Sequence, residues 1–194
     1  MRALVVHSHP REDSFSAALR DAAVRGLQAG GHEVRVRNLD REAFSAAMSV
    51  EEWRAYLGPE PVLDPLVASH AADVRWAELL VFVYPTWWFG LPARLKGWLD
   101  RVLVPGVAFT LDGQRVRPAL RQVRRIAGVT TYGSPRWAIA LANDAGRRTL
   151  TRALRTATGV RCRTTWFALY GVDARGPEER STFLRDVEQG MARL

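Results

Sequence analysis

The chain has 194 residues, 47% of them hydrophobic and 25% charged; this suits one domain with a substantial core and argues against a disordered chain. A single cysteine, Cys162, excludes an intrachain disulfide and a cysteine-based zinc site and suits a reducing, cytoplasmic setting, the first residues turn polar too soon for a signal peptide, and no apolar run approaches the ~20 residues of a membrane span. The formal charge of +8 is uneven, since residues 98–194 hold 17 of the 28 basic side chains and 8 of the 20 acidic ones, a bias that can attract phosphates or an anionic surface.

Ala3-Leu4-Val5-Val6 reads as a buried first strand, ending at His7-Ser8-His9-Pro10. A polar turn follows, then a helix from about Phe15 to Ala29, with Ser14 as its cap and Gly30-Gly31 as its stop. Val34 and Val36 alternate with Arg35 and Arg37, which makes 32–38 a second strand. Residues 39–75 are irregular, with short helical pieces around Val50–Leu57 and Pro65–Val74. Leu79 to Tyr84 is the clearest buried strand, and Pro92 opens the next helix, whose apolar stripe is Leu95, Trp98, Leu99, Val102 and Leu103. Arg125 to Thr130 is a fourth strand, 145–158 a basic helix, and Thr164 to Leu169 a fifth strand. Gly176-Pro177-Glu178-Glu179 opens a last helix.

This alternation predicts a single α/β domain over 1–194, with helices on both faces of a parallel sheet. The expected order of its five strands is 2-1-3-4-5, the flavodoxin-like arrangement, with a ligand crevice beyond the carboxyl ends of strands 1 and 3. Three loops meet there. The first leads into a helix N-terminus, where free N–H groups favour an anion, and His9, Ser14 and Ser16 add donors; Ser14 can equally be only a cap. The second, Pro85-Thr86-Trp87-Trp88-Phe89-Gly90, offers aromatic walls and loop N–H groups to a flat amphiphilic ring, or else serves packing or an interface. The third, Thr130-Thr131-Tyr132-Gly133, supplies small polar groups. There is no Gly-rich dinucleotide fingerprint and no P-loop lysine. His7 and His9 lack a partner for a metal, so no metal is expected. The arginines are not interleaved with aromatics as a nucleic-acid stacking platform requires, so no nucleic-acid partner is expected either.

His9-Pro10, Ser14-Phe15-Ser16 and the run from Tyr84 to Val102, with Pro85-Thr86-Trp87-Trp88-Phe89-Gly90-Leu91-Pro92 at its head, closely resemble the NAD(P)H:quinone oxidoreductase (DT-diaphorase-like) family. The resemblance implies bound FMN, with FAD as the alternative, NADPH or NADH as electron donor, a quinone-like acceptor and a homodimer. It implies that His9, Ser14, Phe15 and Ser16 hold the flavin phosphate. Pro85, Thr86, Trp87, Trp88, Phe89 and Gly90 would line one side of the ring system, and Thr130, Thr131, Tyr132 and Gly133 another. Tyr132 and Trp137 are candidates for the substrate face. Animal members carry a Tyr and a His further along the loop after strand 4; here Trp137 lies in that neighbourhood and no His follows position 70, so no catalytic acid or base is assigned. The family also includes ancillary subunits of potassium efflux systems, which makes a regulatory subunit of a membrane transporter one alternative function. A flavodoxin-like electron carrier is another.

Overall fold

The structure, a computed structural model, describes residues 1–113, 115–159 and 161–194. Its elements are β1 (Arg2–His7), α1 (Phe15–Ala29), β2 (Glu33–Asn38), α2 (Val50–Ala55), α3 (Pro65–Trp76), β3 (Leu79–Pro85), α4 (Ala93–Val102), β4 (Phe109–Asp112), β5 (Arg115–Pro118), β6 (Arg125–Tyr132), α5 (Arg136–Leu141), α6 (Ala145–Arg148), β7 (Arg163–Tyr170) and α7 (Pro177–Ala192). Five strands form one parallel sheet in the order β2-β1-β3-β6-β7. With every strand of the chain counted the order reads 2-1-3-6-7 and not 2-1-3-4-5, while the fold class is the expected one. An antiparallel hairpin, β4 with β5, is inserted between the third and fourth sheet strands. The Asp112-Gly113 pair, with Gly113 at φ 60°, is the turn signal that marks it. Both hairpin strands are mostly exposed and short, so they carry no buried apolar run.

Side-chain alternation divides the core. The odd-numbered Ala3, Val5, Leu79, Val81, Val83, Ala127 and Val129 meet α1 and α7, and the even-numbered Leu4, Val6, Leu80, Phe82 and Ile126 meet α3, α4 and Leu150 and Leu154. β3 is central and buried on both faces, hence its unbroken apolar run. β2 is an edge, and its arginines are tied down: Arg35 and Arg37 both bind Asp73 of α3, at 2.7 and 2.6 Å. Helices α1 and α7 cross at Gly26, where an added Cβ would stand 2.1 Å from the backbone oxygen of Glu188.

Three local expectations are corrected. Pro92 is the residue before α4, not its first residue. The basic segment 145–158 is not one regular helix: it runs from α6 into a π-helical turn, Thr149–Ala153, and a 3₁₀ turn, Leu154–Ala157. β6 continues to Tyr132 because Thr131 and Tyr132 pair with Leu169 and Tyr170, so Thr130, Thr131 and Tyr132 belong to a strand and not to a loop.

Candidate functional site

The carboxyl ends of β1, β3 and β6 open into a hollow of about 320 Å³, lined from the first loop by His9, Ser14, Phe15 and Ser16 and from the others by Pro85, Thr86, Trp87, Thr131 and Gly133. A second hollow of about 190 Å³ adjoins it, sharing Thr86 and Gly133 and adding Trp88, Phe89, Tyr132, Ser134 and Ile139. Strand parity explains the split: Thr131 continues the odd series toward α1, whereas Tyr132 projects to the opposite face.

The first hollow has an anion-binding end. Ser14 caps α1, its Oγ accepting from Ala17 N–H at 3.1 Å, and Ala18 N–H goes to Ser14 O. The N–H groups of Phe15 and Ser16 are left with no acceptor among the described residues. His7 continues the odd series of β1 and is fully buried, with Nε2 3.3 Å from Ser16 Oγ. Burial first, then the charge of Arg20, lowers its pKa to about 4, so it is neutral near pH 7; its Nδ1 has no partner among the described residues. His9 accepts Arg11 N–H at Nδ1, which leaves its Nε2–H as a donor, and its ring lies 6.0 Å from that of Trp87.

Arg180 and Asp173 also line this hollow. Arg180 donates from Nη2 to Val172 O at 2.9 Å, lies 5.8 Å above the Phe15 ring, and keeps a buried Nε–H without an acceptor among the described residues. Neither residue stands out in the strand-end loops. The one signal in the sequence is a cation in the opening turns of α7, the end that a helix dipole makes unfavourable for positive charge.

The aromatic side is a tight turn. Gly90 N–H donates to Trp87 O at 3.0 Å, and Trp88 and Phe89 between them have φ of 47° and 57°. This is a turn that Asn-Gly normally fills. Two bulky residues in the left-handed region store strain of ~1–3 kcal/mol each. The surrounding ladder holds the turn: Thr86 N–H donates to Thr131 O at 2.8 Å, and Thr86 Oγ1 is 3.0 Å from Thr130 Oγ1. Tyr132 is buried, stacks on Tyr170 with centroids 4.7 Å apart, and donates to Asp144 at 3.0 Å. Burial, and then Asp144, raises the Tyr132 pKa well above the ordinary phenol value.

The structure therefore brings most of the sequence-derived candidates to one crevice. Three are placed otherwise. Thr130 is fully buried behind Thr86, Gly90 closes the turn without lining either hollow, and Trp137 lies in the first turn of α5, 71% exposed and off both hollows.

A model of a protein family with the flavodoxin-like fold matches residues 1–192. This chain belongs to that flavodoxin-like family. Among its relatives, NAD(P)H dehydrogenase (quinone) 1 of Cavia porcellus is 32% identical over 148 residues, 69% of this flavodoxin-like chain and 54% of the relative. The chain thus spans about half the length of that relative. Two solved structures share the whole fold at 25% identity. Smu.1420 from Streptococcus mutans UA159 has a TM-score of 0.85 and covers 100% of both chains. An NAD(P)H:quinone oxidoreductase from Methanothermobacter marburgensis has a TM-score of 0.81, covering 99% of this chain and 96% of its own. The flavodoxin-like sheet puts the first hollow at its topological switch point, between β1 and β3, and the second beside it, at the ends of β3 and β6.

Proposed function

We propose that this chain is a flavin-dependent NAD(P)H:quinone oxidoreductase, which carries out NAD(P)H + H⁺ + quinone → NAD(P)⁺ + hydroquinone. The observation that carries the reading is one crevice with two chemically distinct ends. At one end are the free N–H groups at the start of α1 and the unpartnered Nε–H of Arg180. At the other is an aromatic turn held in a strained conformation. Donors without acceptors fit a phosphate, and the aromatic walls with the polar edge of β6 fit a flat ring. A bound flavin supplies the two-electron chemistry.

The chain's residues bind, orient and exclude water. Phe15, Ser16 and Arg180 grip the phosphate, with His9 and the Ser14 cap beside it. His7, neutral, holds the Ser16 hydroxyl. Thr86, Thr131 and Gly133 face the polar edge of the ring, and Trp87, Trp88 and Phe89 cover its apolar part. Arg180 closes the phosphate end, which favours FMN over FAD. No side chain is assigned as acid or base. Trp88 is 95% exposed and Leu141 83%; such an apolar rim supports a homodimer whose second copy covers the open side of the crevice.

The test is the visible spectrum of the purified protein before and after anaerobic NADPH or NADH. Flavin bands that bleach, and return on adding a quinone, are the expected result. Absence of flavin after reconstitution with both FMN and FAD would overturn the reading.

A further inference from the structure

A cavity of about 450 Å³ lies just beyond the second hollow and shares Ile139 with it. Its floor is Tyr170, the ring stacked on Tyr132. Arg136, Arg147, Arg148 and Arg152 line it. None of the four pairs with a carboxylate among the described residues. Arg147 lies 5.7 Å over the Trp166 ring. The one carboxylate in the cavity, Asp144, accepts the Tyr132 hydroxyl.

This concentration of charge is unusual for a single segment. Arg148 and Arg152 are four residues apart on one helical segment, a spacing at which like charges repel. At Gly146 an added Cβ would stand 3.2 Å from Tyr84 Oη and 3.3 Å from Gly90 C, so α6 seats closely against the aromatic turn. The π-helical turn Thr149–Ala153 follows Arg148 directly and contains Arg152, a distortion that often marks a functional segment.

We propose that this cavity receives the phosphate-bearing half of the nicotinamide donor, and that its guanidinium groups select NADPH over NADH through the additional phosphomonoester. The inference rests on the oxidoreductase reading above. With the nicotinamide beside Phe89 and Tyr132, the rest of the dinucleotide continues past Ile139 into the arginines. A phosphomonoester is dianionic and presents oxygens that guanidinium forks meet bidentately, which a ribose hydroxyl cannot match.

The test compares kcat/KM for the two donors in the flavin-loaded protein and in R148Q/R152Q. The ratio of NADPH to NADH should fall 10–100-fold in the variant, through KM and not kcat. R155Q, on the same segment but outside the cavity, should leave that ratio as it is. Calorimetry with 2′,5′-ADP and 5′-AMP gives a readout independent of turnover: the native protein should bind 2′,5′-ADP the more tightly, and R148Q/R152Q should lose the difference. Equal use of both donors by the native protein, with equal binding of the two nucleotides, overturns the proposal. Should neither donor bleach the flavin, the oxidoreductase reading fails, and the calorimetric difference separates that failure from failure of the cavity.

Discussion

Acid should loosen this fold through one buried ring. His7 is fully buried, and its pKa falls from 6.5 to about 4 because burial disfavours the imidazolium and Arg20 repels it. The unfolded chain therefore takes up a proton that the folded one refuses. Stability owed to His7 is complete above pH 6.5 and drains as pH falls, until it is gone near pH 4. At ~1.36 kcal/mol per pH unit, the full loss is about 3 kcal/mol. Carboxylates titrate in the same range, so the comparison must be with H7Q, which is neutral throughout. Urea unfolding of both proteins at pH 7, 6, 5 and 4 isolates the term. The stability of the native protein minus that of H7Q should fall by about 3 kcal/mol across the series. A difference that stays flat would refute the assignment of a buried neutral His7. Because folded His7 stays neutral until pH nears 4, its contact with Ser16 Oγ at 3.3 Å persists, and flavin affinity should show no His7-dependent change between pH 7 and 5, with the same pH profile in the native protein and in H7Q.

Other expectations are more local. W88N relieves left-handed strain at an almost fully exposed residue, so it should raise stability by roughly 1 kcal/mol, seen as a small rise in melting temperature, while weakening flavin or donor binding. R180Q removes the cation facing the α1 amides and should weaken FMN binding about 10-fold to 100-fold, read by fluorescence titration; charge-assisted hydrogen bonds are worth ~1.5–3 kcal/mol. G26A forces a Cβ against the backbone of Glu188 and should cost ~1–3 kcal/mol as overpacking does, measured by denaturant unfolding. R101M leaves Glu52, buried and bound to Arg101 at 2.6 Å, without its partner, and should cost ~3–5 kcal/mol in the same assay.

Much of this architecture was legible because its causes are local. An apolar run flanked by turn residues reads as a buried strand whatever it later packs against, and Leu79 to Tyr84 shows this. Ser14 and Gly30 bound α1 through their own chemistry, a hydroxyl that accepts an N–H and a glycine at the helix end. The aromatic residues after β3 stand out because tryptophan is costly to leave in a loop unless it meets something.

What stayed hidden depends on residues far apart in the chain. Pairing with β7 draws Thr131 and Tyr132 into β6, and strand parity then sends them to different hollows. The hairpin β4–β5 carries no apolar run to announce it. Arg180 reaches the Phe15 ring only because α7 packs along α1, with Gly26 permitting the close crossing. Capping, alternation and glycine freedom belong to a few neighbouring residues, so the sequence alone determined the strands, the helix ends and the loops at which to look. Register and helix packing come from burial shared between distant segments. Only the tertiary structure could decide which groups in those loops face the same space, and that α7 brings a guanidinium to the mouth of α1.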